Sequence, residues 1–533
     1  MKNKRTYHTA KRTYPFSLIW ILLFITITMP NAGIAQEASV SDERLTGLDE
    51  QLERIMESFQ GTGIAVAIVE HDEIIYSRGF GYRDVENRLP VTPNTVFAIG
   101  SIGKAFTTAS MGILREEGLL DFSDSPLDHI PELRFYNAEM NERITLSDMM
   151  SHRTGLPRHD MVLYAFPIAS RDSLIQKFRY LEPAANIREK FLYNNLMYEL
   201  QGIILERKTG TFWGESFKQT LFEPLEMHNT VTSISELVKQ DEPAFGYELI
   251  DQSEISRMDY LDCLGVGTAG FIYSNVIDMS NWLMAWMNKG TFNGEQVIPS
   301  SFVSEAISSQ MVMGAGLPSL AIPDRFFSTY GYGWMLNSYK GKYHVRHGGY
   351  IDGFSAMTGF FPSEKIGIIV LENRFLSPIH DLAYNVIADR MLESQSTDWE
   401  ELLKGLVENS RGQEERTLEE VTNNQKRGTS PHHPLEDYAG EYRHPGYGTY
   451  RVSIKDDSLR LRSTRHDWLL KHYHHDVFIA HDVESGRAIN FGIPWIVFYV
   501  NFLTNNQGDI SSFLINLHLE QEMEPLEFRR IGD

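Results

Sequence analysis

The strongest constraint on the fold is an order of elements: the body of the chain opens helix, strand, strand and closes strand, strand, helix. Residues 43–59 carry Leu45, Leu48, Leu52 and Ile55 at spacings of three and four, which marks one buried helix face, and Gly61 and Gly63 end it. Two strand-like runs follow, 64–69 and 74–77, around a His71-Asp72 turn. Far downstream, 355–361 and 366–371 repeat the strand pattern about a short polar turn, and 379–392 returns to helical spacing. The stretch between them is mostly helical. An antiparallel sheet assembled from both ends, flanked by helices and carrying a helical region, satisfies this order, which makes the class α+β.

Residues 408–433 are polar and show no sustained apolar period. They predict a linker over 401–433, with an exposed helix around Thr417 as the alternative. From residue 434 short alternating segments take over, such as Tyr450-Arg451-Val452-Ser453-Ile454 and Leu459-Arg460-Leu461, so 434–533 reads as a small antiparallel β domain. The large domain then covers 36–400.

The first 35 residues read as a leader outside the fold. Lys2, Lys4, Arg5, Lys11 and Arg12 precede an apolar run from Phe16 to Met29, and Gly33-Ile34-Ala35 offers small residues for cleavage. That is the pattern of a secretory signal peptide, with an uncleaved anchor as the alternative. The apolar run is short for a span of about 20 residues. A periplasmic or secreted protein with no stable membrane span after cleavage is the expectation.

Across 533 residues, 42% are hydrophobic and 23% charged, as in ordinary globular proteins. The formal charge of −22 disfavours a nucleic-acid partner, since phosphate binders concentrate Lys and Arg. Cys263 is the only cysteine, which excludes an internal disulfide and a multi-cysteine zinc site.

Ser101-Ile102-Gly103-Lys104 is the first chemical candidate, and Ser-x-x-Lys occurs once in the chain. Residues three apart on a helix are neighbours, so the amine can reach the hydroxyl. A serine needs a base to attack at neutral pH, and a lysine serves as one when desolvated. At a helix start, Ser101 also turns its own N–H toward a developing oxyanion. A nucleophile elbow is excluded, because Ile99 stands where that motif needs glycine.

The residues 97–106, Phe-Ala-Ile-Gly-Ser-Ile-Gly-Lys-Ala-Phe, resemble the first motif of the serine β-lactamase and penicillin-binding-protein superfamily. Ile144-Thr145-Leu146-Ser147-Asp148-Met149-Met150-Ser151-His152-Arg153-Thr154-Gly155-Leu156-Pro157 resembles a segment of its class C and D-peptidase-like branch. Phe191-Leu192-Tyr193-Asn194-Asn195 resembles the Tyr-x-Asn motif, and Tyr330-Gly331-Tyr332-Gly333-Trp334 with His347-Gly348-Gly349 resembles the approach to the third motif and that motif itself. The resemblance covers roughly 42–395. It implies a serine hydrolase working through an acyl-enzyme on an ester, a D-amino-acid peptide or amide, or a β-lactam, with a non-catalytic binder or sensor of the same fold as the alternative. No cofactor or metal is implied; the partner is a small-molecule or peptide substrate.

By that resemblance Tyr193 and Lys104 together deprotonate Ser101, and Asn195 orients the lysine and a substrate amide. Gly348 and Gly349 let backbone approach a ligand closely, the Tyr350 N–H joins the oxyanion hole, and His347 binds substrate. Lactamases of this branch usually carry Lys-Thr-Gly where this chain has His347-Gly348-Gly349, which turns the expectation toward D-peptidases, D-aminopeptidases and esterases. Tyr-x-Asn also occurs at Tyr273 and Tyr499, and His-x-Gly at His444; their contexts disfavour them. The small domain resembles a lipocalin-like module appended to such hydrolases. Its His472-Tyr473-His474-His475-Asp476 leaves a zinc site as a lesser alternative, since on a strand His472, His474 and Asp476 share one face.

Overall fold

The computed structural model describes residues 42–166, 168, 170–250, 254–260, 267–314, 326–483, 486–489, 496–518 and 523–532. The leader and Cys263 lie outside the described residues.

Helix α1 (Leu48–Ser58) leads into strands β1 (Gly63–Glu70), β2 (Glu73–Asp84) and β3 (Leu89–Pro90). The later strands of the same sheet are β4 (Met311–Gly314), β5 (Ser328–Tyr330), β6 (Met335–Tyr339), β7 (Lys342–Ile351), β8 (Phe354–Phe361) and β9 (Ile366–Glu372). The sheet runs β4-β5-β6-β7-β8-β9-β1-β2-β3, so the two chain ends meet where Val66 pairs Val370. Both faces of β1 are buried. Ile64, Val66 and Ile68 pack into the cluster formed with α1 and the closing helix Ile379–Met391, whereas Ala65, Ala67 and Val69 face the larger core. Alternation sends successive side chains to opposite faces, and covering both makes the run apolar throughout. Strand β2 is much longer than the expected 74–77, because only half-burial and interspersed Arg78, Gly79 and Gly81 mask its pattern.

The helix expected to start at Ser101 begins as a tight turn, Gly100–Ile102, before helix α2 (Gly103–Glu116). Helices α3 (Asn195–Thr209) and α4 (Val276–Met287) complete the core around it. Phe106 on α2 stacks on Trp282 of α4 with ring centres 3.7 Å apart.

The stretch expected as a 401–433 linker holds the alternative instead, a helix over Trp399–Asn424. Asp398 caps it by accepting the Glu401 N–H at 3.0 Å. Its only buried residue is Trp399, so no apolar stripe exists to reveal it in sequence.

The C-terminal part is a closed eight-stranded antiparallel barrel: β10 (Gly440–His444), β11 (Gly448–Lys455), β12 (Ser458–Arg462), β13 (Asp467–His474), β14 (Val477–Asp482), β15 (Tyr499–Thr504), β16 (Ile510–Ile515) and β17 (Leu526–Arg530). Tyr442 pairing with Arg530 closes the ring. Its interior is filled with aromatics, Phe513 stacking on Phe528 at 5.3 Å and Tyr450 and Phe502 packed beside them. Among the described residues no helix is long and apolar enough to cross a membrane.

Candidate active site

Ser101 is delivered by backbone. Phe97 and Ala98 pair with Ser274 and Tyr273, and the Ile99 N–H donates to the Ile272 carbonyl at 3.0 Å. The other two Tyr-x-Asn pairs are thereby explained: Tyr273 is a buried strand residue whose Asn275 caps α4, and Tyr499 belongs to the barrel.

Beyond Arg346, β7 has no partner on the β6 side among the described residues, and this edge runs past Gly100–Ile102. The approach is so close that only glycine fits on either side. A Cβ on Gly349 would stand 1.9 Å from the Ile99 carbonyl oxygen and 3.3 Å from the Ser101 nitrogen. One on Gly100, at φ +54°, would stand 2.7 Å from the Tyr350 nitrogen. The Ser101 and Tyr350 amides are thus carried on touching segments beside the hydroxyl.

Lys104 is fully buried. Its Nζ lies 3.1 Å from Ser101 Oγ and 2.7 Å from the Ala269 carbonyl oxygen. Burial pushes its pKa down to about 7, the nearby Arg158 charge adding to the effect while Asp160 and Glu199 oppose it. The neutral amine can donate to Ala269 and turn its lone pair to the serine. Tyr193 stands beside Ser101, and burial raises its pKa. Lys104 Nζ lies 4.8 Å from the Tyr193 ring centre. The three groups are therefore mutually in contact.

Asn194, not Asn195, caps α3, accepting the Met197 N–H at 2.9 Å. Asn195 is left to the cleft: its Nδ2 donates to Asp160 Oδ1 at 3.0 Å, and its buried Oδ1 has no partner among the described residues. A cleft of about 420 Å³, including the solvent at its mouth, is bordered by Ser101, Asn195, Glu199, Leu163, Tyr164 and Tyr350.

His347, expected to bind substrate, has both ring nitrogens engaged within the protein. It is buried beside Tyr193, Nδ1 lying 2.6 Å from the Gly348 carbonyl and Nε2 3.1 Å from the Tyr330 hydroxyl. A carbonyl can only accept, so Nδ1 carries the proton and Nε2 accepts from the tyrosine. Burial, helped by the Lys104 charge, pushes its pKa down to about 3 and keeps it neutral. Both nitrogens are engaged within the protein, so the ring supports Tyr330 rather than reaching out as a donor.

Four residues given no role from the sequence belong to the site. His152 Nδ1 accepts the Asn194 N–H at 3.1 Å, and its ring lies 4.2 Å from that of Tyr193. Arg158 donates to Asp160 at 2.7 Å and stands 5.0 Å from the Tyr193 ring centre. Glu199 accepts the Gly267 and Ala269 N–H groups at 2.7 and 3.0 Å, fixing the turn whose Ala269 carbonyl holds Lys104. Two signals were present: the charged Arg158-His159-Asp160 directly after Gly-Leu-Pro, and Glu199 one helical turn beyond Asn195.

Residues 48–392 match the beta-lactamase family model. The chain belongs to the beta-lactamase family. A domain of unknown function, DUF3471, matches residues 424–530, the barrel. Among curated relatives, "Unguisins hydrolase ungD" of Aspergillus violaceofuscus is 27% identical over 466 residues, covering 80% of each chain. "Protein flp" of Staphylococcus aureus is 25% identical over 337 residues, 61% of this chain and 62% of the relative. Among solved structures, the octameric penicillin-binding protein homologue from Pyrococcus abyssi aligns with a TM-score of 0.60 at 22% identity, covering 91% of this chain and 99% of that one. A penicillin-binding protein from Bacillus halodurans aligns at 0.52 and 20% over 63% of this chain and 97% of its own. The structural likeness is one of fold. Membership in the family supports serine-hydrolase-type chemistry.

The barrel's His-x-His-x-Asp does not converge. His472 Nε2 faces the His475 carbonyl at 2.9 Å, while Asp476 lies past the end of β13 and takes the His432 N–H, His432 Nδ1 and the Tyr438 hydroxyl. Among the described residues no three His, Cys, Asp or Glu side chains gather as a metal site.

Proposed function

We propose that the protein is an exported serine hydrolase that acts through an acyl-enzyme on esters or on D-amino-acid peptides and amides, ahead of β-lactams. The carrying observation is the 3.1 Å contact between Ser101 Oγ and a buried Lys104 whose pKa falls to about 7. A base poised near the working pH is what general-base catalysis needs.

The Ser101 proton passes to Lys104 as Oγ attacks the substrate carbonyl, and the new oxyanion takes the Ser101 and Tyr350 N–H groups. Collapse breaks the bond to the leaving group, which receives its proton through Tyr193. Water, deprotonated by the same pair, then releases the acyl group and returns the proton to Ser101. The unpartnered Asn195 Oδ1 suits a substrate N–H. A neutral His347 offers no charge to the carboxylate of a β-lactam, which supports the D-peptidase- and esterase-like reading. That Ser101, Lys104 and Tyr193 stand together favours turnover over mere binding. The leader pattern supports export.

Purified full-length protein assayed with p-nitrophenyl acetate, D-alanyl-p-nitroanilide and a chromogenic cephalosporin tests the substrate class. The ester or the D-alanyl amide is expected to give the largest kcat/KM; a cephalosporin turned over far faster than both would overturn it. EDTA is expected to leave the rate unchanged. Loss restored by zinc and abolished in His472→Ala would instead move the chemistry to the barrel.

The pH dependence has a definite sign. Only neutral Lys104 accepts a proton, so kcat/KM should rise with pH through about 7 and level off above it. Arg158 lowers the lysine, so Arg158→Met should raise it and move the acid limb to higher pH. A limb displaced to lower pH would contradict the assignment.

A further inference from the structure

Residues 158–166 form one wall of the cleft and face two ways. Asp160 holds Asn195, and Leu163 and Tyr164 border the cleft. The turn that carries them is built on its own start: the Val162 N–H donates to the His159 carbonyl at 2.9 Å, and the Leu163 and Tyr164 N–H groups to the Asp160 carbonyl at 2.8 and 3.0 Å.

The residues between these face the barrel. His159 is buried, its Nε2–H donating to the Glu182 carbonyl at 2.9 Å, which leaves Nδ1 to accept the Tyr447 hydroxyl at 2.7 Å. Burial and the neighbouring His518 push the His159 pKa down to about 3, so the accepting nitrogen stays unprotonated. Phe166, past the turn, packs edge-on to Tyr450 at 4.9 Å and lies over Gly448, where a Cβ would stand 2.5 Å from its ring. Lys177 donates to the Gly446 carbonyl at 3.2 Å and also to that of Tyr447. The hairpin between β10 and β11 is therefore locked to this wall at both ends of the turn.

We propose that the C-terminal barrel is a specificity element of the Ser101 site: by gripping His159 and Phe166 it fixes the wall of Leu163 and Tyr164 against which the acyl group of the substrate lies. This rests on the hydrolase reading above. It assigns the barrel to the far end of the acyl group rather than to the reacting carbonyl, because none of its residues touches Ser101, Lys104 or Tyr193 in the contacts described. Substrates with a short acyl group do not reach the wall, whereas those with a long apolar one depend on it.

The test uses full-length protein and two esters, p-nitrophenyl acetate and p-nitrophenyl octanoate. Tyr447→Phe removes the hydrogen bond to His159, and Gly448→Ala drives a methyl group into Phe166. For both, kcat/KM on the acetate is expected to stay within about 2-fold of wild type, while the octanoate loses roughly 10-fold, mainly through KM, as lost pocket contacts do. An unchanged octanoate-to-acetate ratio would overturn the proposal, including when the melting temperature falls, since that is the result of a purely structural role. Tyr447→Phe carries the test if Gly448→Ala does not fold. If wild type itself turns over neither ester and is not labelled by a fluorophosphonate, the hydrolase reading fails instead, and the two failures are told apart before any variant is made.

Discussion

Ser101→Ala is expected to lower kcat/KM by about 10⁴-fold or more, the scale on which removal of a nucleophile acts, leaving only what binding and the oxyanion donors provide. The neighbouring hydroxyl, Tyr193, has its pKa raised by burial, so it does not become a phenolate nucleophile near neutral pH. The substitution removes one oxygen from a tight turn held by backbone pairing at residues 97–99, so the fold should survive. Kinetics alongside thermal melting check this. A variant that melts normally and keeps a tenth of the wild-type rate would remove Ser101 from the reaction.

Lys104→Ala should cost roughly 10²- to 10⁴-fold, the range for losing a general base. The variant also strips the Ala269 carbonyl of its donor, which blurs chemistry with packing. Lys104→Arg separates the two. Arginine keeps a cation and several donors but cannot shed a proton near neutral pH. If the amine acts as a base, the arginine variant should be about as inactive as the alanine one. If it only positions Ser101, the arginine variant should retain much of the rate.

The proximity of Ser101, Lys104 and Tyr193, the proposed reacting groups, was legible because their residue types and order carry a recognisable chemical pattern. Ser101 and Lys104 sit one helical turn apart, and Tyr193 was separated from Tyr273 and Tyr499 by what flanks each. The sheet was legible too, since β1, β8 and β9 are buried on both faces and leave continuous apolar runs. What was missed lacked such a mark. The Trp399–Asn424 helix buries a single residue, so its sequence looks like a polar linker. The bonds of Asp160 to Asn195 and of Glu199 to the 267–269 turn join parts of the chain 35 and about 70 residues apart, and no local pattern records them. The hydrogen bonding of His347 was hidden for a different reason. Its position in the motif is clear, but only the surrounding carbonyl and Tyr330 show that both nitrogens are already engaged. The barrel's grip on His159 and Phe166 is similar, a contact between residues nearly 290 apart.

Ser101 Oγ is proposed to become acylated, activated by the neutral form of Lys104. Full-length protein treated with a fluorophosphonate, digested and mapped by mass spectrometry tests it most directly. One adduct is expected, on the peptide containing Ser101, absent in Ser101→Ala and formed progressively more slowly as pH falls below about 7. An adduct on any other residue, or one that persists undiminished in Ser101→Ala, would contradict it.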